Sequence, residues 1–199
     1  MKQIFLDVDT QADFLYPTGA LVVPGAVSIL PRLAALTRYA AEQSVPIIST
    51  VDAHLENDPE FAEYPAHCVA GTLGAMKAPE TLLPKSARVA IGEAAPDAWV
   101  GQLILEKRSV DMFTQPSIAA LLERLEPECF VVYGVVTEIC VMNAVDGLLR
   151  LGKPVAVVSD AVHPLEASKT PDLLHRWRAA GCSIVKAAEI TGENGNGSN

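Results

Sequence analysis

The chain has 199 residues, half of them hydrophobic and a fifth charged, which is typical of a globular domain and not of a disordered chain. Its net charge of −9 and isoelectric point near 4.9 argue against nucleic acid or an anionic membrane as a main partner. No apolar run approaches the roughly 20 residues of a membrane span, and the N-terminus does not resemble a signal peptide. The four cysteines show no paired spacing, so we expect reduced thiols and a cytoplasmic protein.

Strand and helix patterns alternate along the chain. Short apolar segments predict strands over 3–8, 45–51, 88–92, 100–106, 129–135, 154–159 and 182–186. Helical periodicity predicts helices over 24–44, 116–125 and 166–180, and one more after Thr137. The segments 88–92 and 100–106 are compatible with a hairpin insertion around 93–97. This pattern predicts a three-layer αβα sandwich, with a mostly parallel central sheet of about six strands. We expect a single domain over 1–190 and a disordered tail over 191–199.

The segment from Phe130 to Leu148 runs from an apolar strand into a helical pattern. A small polar residue at such a junction is typical of a helix N-cap, which predicts Thr137 as the cap and puts Cys140 in the first turn. Unpaired amides and the helix dipole favour an anion there, so we expect an easily ionised, nucleophilic thiol. The same amides can hold the oxyanion that develops on a substrate when the thiol attacks it. On residue type alone, packing is the commoner role of a buried cysteine.

Polar residues follow several of the predicted strands, and ligands bind beyond the carboxyl ends of strands in parallel sheets. Asp9 follows the first strand, and it is a candidate to take a proton from the thiol. Lys107 follows a middle strand, where its charge would keep the carboxylate and the thiolate ionised. Each residue also has a plainer interpretation: a loop cap for Asp9 and a solvated surface residue for Lys107.

A possible metal site lies in the long, proline-containing segment 52–85. Asp52 and His54 are two residues apart and point to the same side of an extended chain, and His67 could return to the same place. Imidazole and carboxylate ligands suit zinc, iron or manganese, although two histidines and an acid are a weak signal alone. Glu60 and Glu63 lie between them and could add a ligand or simply solvate the loop.

Taken together, these segments resemble the isochorismatase-like cysteine hydrolase superfamily and, within it, the nicotinamidases. The resemblance covers most of the chain and is carried by blocks in matching order and spacing. These blocks are 9–14 (D-x-Q-x-D-F), 52–54 (D-x-H), 64–75 (YPAHCVAGTLGA), Lys107 with Asp111 and Phe113, and 134–140 with Asp146 beyond. Two positions depart from the family pattern: Tyr64 replaces a tryptophan, and Thr10 replaces an aliphatic residue.

The resemblance implies a catalytic triad of Asp9, Lys107 and Cys140. It also implies an oxyanion hole formed by the backbone amides of Val136 and Cys140, with a cis peptide bond before Val136. A further implication is a divalent metal (zinc, iron or manganese) on Asp52, His54 and His67.

Phe14 and Tyr64 would contact the substrate. Glu63 is the first candidate for a further metal ligand, and Glu60 is the second. The implied activity is the deamidation of nicotinamide to nicotinate and ammonia through a cysteine thioester. The alternatives are hydrolysis of another small amide or carbamoyl compound, and a catalytically silent family member. The expected partner is a small-molecule amide, with no nucleic acid and no membrane, and we expect a homo-oligomer.

Overall fold

One continuous sheet forms the centre of the protein in this computed structural model, which describes residues 3–192. The strands are β1 (Gln3–Val8), β2 (Ile47–Asp52), β3 (Ser86–Val89), β4 (Gln102–Lys107), β5 (Cys129–Val135), β6 (Val155–His163) and β7 (Ser183–Val185). Neighbouring strands are all parallel, in the order β3-β4-β2-β1-β5-β6-β7. The first strand therefore lies in the middle of the sheet, where it is covered on both sides by neighbours.

Helices cover both faces of this sheet. They are α1 (Ala12–Leu15), α2 (Leu30–Gln43), α3 (Pro116–Arg124), α4 (Met142–Arg150), α5 (Thr170–Ala179) and α6 (Ala187–Thr191). Apolar residues of α3, α4 and α5 pack with Ile4, Leu6 and Val8 of β1 on one face. Residues of α1, α2 and α6 pack with Phe5 on the other face. Because alternate residues of a strand point to opposite faces, a strand buried on both sides is apolar throughout, as the sequence of β1 nearly is.

The chain reverses direction across the sheet beside β1. From β1 it passes to β2 on one side, and after β4 it returns to β5 on the other side of β1. Such a switch point leaves a crevice beyond the carboxyl ends of the strands, where ligands bind in open α/β sheets. The ends of β1, β2, β4 and β5 surround this crevice.

The predicted three-layer sandwich is confirmed, with seven strands where about six were expected. The prediction of a hairpin around 93–97 is wrong, because β3 and β4 are parallel and Ser86 pairs with Gln102. Residues 90–101 carry the chain back along the sheet before β4 begins. Helix α2 begins at Leu30 and not near residue 24, since Gly25 has a φ of +85° and a 3₁₀ turn, Ala26–Ile29, precedes the helix. The five-residue α6 is too short to show periodicity.

The predicted disordered tail lies outside the described residues, except for Thr191, which ends α6, and Gly192. Within residues 3–192, none of the helices combines the length and the apolar character that crossing a membrane would require.

Gly134 allows the close approach of β5 to β1 just before Asp9. A Cβ atom at Gly134 would lie 2.0 Å from the Val8 carbonyl oxygen, and φ is +120°. We expect Gly134→Ala to lower the free energy of unfolding by about 1–2 kcal/mol for the positive φ and by roughly 1–3 kcal/mol more for the clash. Chemical denaturation measures the loss.

Gly152→Ala is the matched control, because Gly152 also has a positive φ, +69°, but no atom lies within 4 Å of the position that a Cβ would take there. In this variant the free energy of unfolding should fall only by the amount due to the positive φ. Equal losses in the two variants would contradict the role given to the approach of β5 to β1.

Candidate active site

Asp9 lies directly beyond the end of β1, in a left-handed backbone conformation with φ +51°. Few residues other than glycine adopt this conformation, and here it turns the carboxylate into the crevice. The side chain is fully buried, and its Oδ1 accepts a hydrogen bond from Thr50 Oγ1 at 2.6 Å. Asp9 is therefore a fixed, desolvated carboxylate and not a loop cap at the surface.

Lys107 ends β4 and lies opposite Asp52 in the parallel register of β2 and β4. The ammonium is buried; Nζ lies 2.6 Å from Asp52 Oδ1, 2.9 Å from Asp9 Oδ2 and 3.8 Å from the Cys140 sulfur. Burial alone would lower the pKa of Lys107, but the carboxylates of Asp52 and Asp9 outweigh it and hold the pKa well above its usual range. The lysine is a charged centre of the crevice and not a surface residue.

Cys140 lies in a single π-helical turn, Thr137–Val141, that leads from β5 into α4. The helical turn is capped by Val136, and Thr137 Oγ1 is buried without a hydrogen-bond partner among residues 3–192, so the prediction of Thr137 as the N-cap is wrong by one residue. The peptide bond between Val135 and Val136 is cis. The backbone of Val136 thus lies at the start of the turn that carries Cys140.

The prediction that Cys140 ionises easily is wrong for this site. Burial raises the pKa of the Cys140 thiol well above its usual range; Lys107 lowers it, but the carboxylates of Asp9 and Asp52 raise it further. A position in the first helical turn does not offset two nearby negative charges in a dry environment. The resting thiol is therefore protonated, with the Asp9 carboxylate as a hydrogen-bond partner.

The predicted metal residues are brought together at the same edge of the sheet. One ligand atom from each of Asp52, His54 and His67 lies within 4.8 Å of the others, and all three residues are buried. Asp52 belongs both to this cluster and to the group of charges around Lys107, because its Oδ1 binds the Lys107 ammonium. Burial raises the pKa of Asp52 to about 6, as Lys107 offsets only part of the desolvation and Asp9 adds repulsion.

The two imidazoles have the form that a metal ligand needs. His67 Nδ1 lies 2.8 Å from the Pro65 carbonyl oxygen, which can only accept, so Nε2 carries the free lone pair. Burial lowers the pKa of His67, which keeps the ring neutral. His54 Nε2 is buried without a hydrogen-bond partner in the described part of the chain. A divalent ion would satisfy these atoms, so the residues present fit the implied metal.

Acidic residues around the histidines complete this arrangement. Asp58 is buried, and its Oδ2 lies 3.1 Å from His54 Nδ1, the side of the ring where a carboxylate commonly supports a metal-binding histidine. Glu60 Oε1 lies 3.9 Å from His67 Nε2, whereas Glu63 is exposed. The structure thus favours Glu60 over Glu63, the residue preferred from the sequence, as a further ligand.

A narrow pocket opens onto these groups. Cys140 and Asp52 are among the residues that line it, and most of the others are apolar. The lining residues are Phe14, Leu21, Val23, Asp52, Glu60, Tyr64, Val110, Val135, Val136, Ile139, Cys140 and Leu165. Phe14 and Tyr64, both predicted to contact substrate, are therefore wall residues. A flat apolar molecule with one reactive polar group suits such a pocket.

Sequence reasoning missed Gln11, which holds Asp52 in place. Its amide nitrogen donates to the Asp52 carbonyl oxygen at 2.8 Å, and its amide oxygen accepts from the Asp52 N–H at 2.7 Å. Asp13 joins two loops by accepting hydrogen bonds from Ala20 N and Cys68 N at 2.8 and 2.7 Å. The available signal was the density of polar residues over 9–13, directly after a buried strand, where only Ala12 is apolar. Asp9, Gln11 and Asp13 are all buried.

Comparison with known proteins agrees with this architecture. The Isochorismatase domain profile matches residues 3–189. The chain belongs to the isochorismatase family, whose members are hydrolases with this αβα fold. It is 27% identical to the nicotinamidase/pyrazinamidase of Mycobacterium tuberculosis over 185 residues, which is 89% of this chain and 95% of that protein.

Solved structures show the same fold. The pyrazinamidase of Pyrococcus horikoshii in complex with zinc is 26% identical and has a TM-score of 0.75, covering 94% of this chain and 99% of its own. The N-carbamoylsarcosine amidase of Thermoplasma acidophilum is 22% identical with a TM-score of 0.74, covering 94% and 97%. Proteins that differ in substrate therefore share this fold, and the substrate depends on the pocket.

We expect Asp58→Ala to weaken zinc binding by roughly 10- to 100-fold, because His54 loses the carboxylate that orients it. Competition with a chromophoric chelator measures the affinity. Asp111→Ala is the matched control: both aspartates cap a 3₁₀ turn by accepting a backbone N–H two residues on, but Asp111 lies outside the cluster of metal residues. Equal affinity of the two variants for zinc would contradict the role of Asp58.

Zinc affinity should also fall as the pH is lowered through about 6, because the metal must displace the proton that the raised pKa of Asp52 retains. The metal-free protein binds that proton below this pH and releases it above, so affinity rises with pH and then levels off. Zinc titrations at a series of pH values, with Asp52→Asn beside the wild type, test this. An equally steep pH dependence in Asp52→Asn would assign the effect to another group.

Proposed function

We propose that this protein is a metal-dependent nicotinamidase, which hydrolyses nicotinamide to nicotinate and ammonia. The observation that supports it most is that Cys140 and Asp52 line the same pocket. The groups that could attack an amide and the groups that could hold a metal are thus linked through Lys107 and lie beside the same bound molecule.

In this proposal Asp9 acts as the general base and then as the general acid. Its carboxylate takes the proton of the Cys140 thiol as the sulfur attacks the amide carbonyl carbon. This order of events suits a thiol whose pKa is raised, because no free thiolate is needed beforehand. The amides of Val136 and Cys140 hold the negative charge on the carbonyl oxygen.

Collapse of the tetrahedral intermediate breaks the carbon–nitrogen bond. Asp9 gives its proton to the departing nitrogen, and ammonia leaves a thioester on Cys140. Water then attacks the thioester; Asp9 takes a proton from the water and returns it to the sulfur as nicotinate is released. Lys107 keeps the Asp9 carboxylate in place through both halves of the reaction by their contact at 2.9 Å.

A divalent ion held by Asp52, His54 and His67 would supply a Lewis acid for the ring nitrogen of the substrate. The walls of the pocket would orient the ring. Phe14 and Tyr64 offer aromatic surfaces, and Tyr64 can stack on a pyridine although the family pattern has tryptophan there.

The charge of the pocket favours an uncharged aromatic amide over a substrate that carries a carboxylate. Among the described residues, those that line the pocket include Asp52 and Glu60 but no lysine or arginine. A carboxylate-bearing carbamoyl compound would meet these acids without a basic side chain to bind it. Another small neutral amide is the remaining alternative, and a substrate panel separates the two.

We also propose that the enzyme works in the cytoplasm as a homo-oligomer. The state of the cysteines supports the location, because Cys68, Cys129, Cys140 and Cys182 are all free thiols.

The test is ammonia release from nicotinamide by zinc-loaded protein. We expect turnover that a chelator suppresses, and a loss of at least about 10,000-fold in kcat for Cys140→Ala, which removes the nucleophile. Cys182→Ala is the matched control, since Cys182 is also buried but lies in the core, directly before β7. This variant should keep the wild-type kcat.

Pyrazinamide and N-carbamoylsarcosine are assayed beside nicotinamide. Ammonia release from N-carbamoylsarcosine but not from the aromatic amides would contradict the nicotinamidase proposal and favour the alternative, a hydrolase of another small amide. Absence of turnover on every amide, together with a Cys140 that resists alkylation, would indicate a catalytically silent family member.

A further inference from the structure

A second buried lysine contacts the residues that flank Asp9 and lies outside the lining of the pocket. Lys77 Nζ donates hydrogen bonds to Asp7 Oδ2 at 2.5 Å and to Thr10 Oγ1 at 2.6 Å. Thr10 Oγ1 in turn donates to Asp7 Oδ1 at 2.9 Å. All three side chains are buried, and none of them lines the pocket. They enclose the turn at Asp9, because Asp7 precedes it by two residues and Thr10 follows it.

The stability of the fold does not by itself explain this cluster. A buried ion pair loses the hydration of both charges, and apolar residues of similar volume often stabilise a protein as well or better. Each polar side-chain atom of the cluster nevertheless has a hydrogen-bond partner, and Ser49 Oγ also donates to Asp7 Oδ2 at 3.2 Å. What such a network supplies is a specific geometry, because each donor and acceptor fixes a direction as well as a distance.

The backbone around Asp9 needs such support. Asp9 has a φ of +51°, which is uncommon for a residue with a side chain. Lys77 is bridged to Gln11 by antiparallel backbone pairing, and Ala78 N donates to the Thr10 carbonyl oxygen at 2.9 Å. The chain of Lys77 thus runs beside the turn, while its ammonium reaches both sides of it.

We propose that Lys77 is a positioning residue for Asp9. By binding Asp7 and Thr10 together, its ammonium holds the turn so that the Asp9 carboxylate points at Lys107 and Cys140. The inference rests on the proposed function in that Asp9 is taken as the proton-transferring group. Thr10 supplies the hydroxyl through which Lys77 acts.

The first experiment changes only the hydroxyl in the zinc-loaded enzyme. Thr10→Val keeps the shape of the side chain and removes its hydrogen bonds, whereas Thr10→Ser keeps the hydroxyl. We expect kcat for nicotinamide to fall about 10- to 100-fold in Thr10→Val, as for a displaced catalytic group, with KM changed less than about twofold. Thr10→Ser should restore most of the kcat.

The second experiment removes both charges at once, so that neither is left buried alone. Asp7→Leu combined with Lys77→Met should lower kcat as Thr10→Val does, with a melting temperature close to that of the wild type. Lys153→Met is the matched control, because Lys153 is a buried lysine that binds Glu126 and two carbonyl oxygens far from Asp9. It should lower the melting temperature and leave kcat unchanged.

A readout that needs no substrate separates this inference from the proposed function. The pH dependence of Cys140 alkylation by iodoacetamide reports the charges that face the thiol, which are Asp9, Asp52 and Lys107. Because the Asp9 carboxylate raises the pKa of the thiol, its displacement should move the alkylation midpoint to lower pH by at least about 0.5 unit. This shift is expected in Thr10→Val and in the double variant, even if nicotinamide proves not to be the substrate.

Two results would overturn the role of Lys77. One is a folded double variant with the kcat and the alkylation profile of the wild type. The other is a loss of activity that follows the melting temperature equally in the double variant and in Lys153→Met, which would make the cluster a purely structural link between the loop and the sheet.

Discussion

The buried ammonium of Lys107 is the interaction on which the crevice depends. Removing a lysine charge from water costs several kcal/mol, and only contacts with opposite charges make it stable there. The carboxylates of Asp52 and Asp9 provide them at 2.6 and 2.9 Å. Because Asp9, Asp52 and Lys107 come from the ends of three neighbouring strands, this one cation fixes the relative positions of β1, β2 and β4 at the edge where the pocket lies.

The same contacts leave the crevice with an excess of negative charge. Burial, together with two carboxylates that share one ammonium, explains why the pKa values of Asp52 and Cys140 are both raised. A divalent cation beside Asp52, His54 and His67 would relieve this imbalance. The cluster of Asp52, His54 and His67 and the thiol of Cys140 are therefore parts of a single electrostatic unit that shares Asp52, and a change at one is expected to affect the other.

The polar residues of the first loop each secure a different part of this unit. Asp9 contacts Lys107, Gln11 holds the backbone of Asp52, and Asp13 ties the loop that follows His67. The long segment after β2 has little regular structure, so side-chain bonds to backbone groups replace the usual ladders. Lys77 extends this arrangement behind the crevice, at the far end of the same segment.

Local apolar patterns and short motifs are enough to predict the layered α/β fold, the strands that lead to Asp9, Lys107 and Cys140, and the cluster of Asp52, His54 and His67. The protonated thiol of Cys140, the sharing of Asp52, and the roles of Gln11 and Lys77 arise only when the chain is folded. The reason is physical: a pKa depends on burial and on charges from distant segments, and bonds such as those from Gln11 to Asp52 and from Lys77 to Asp7 join residues 41 and 70 positions apart.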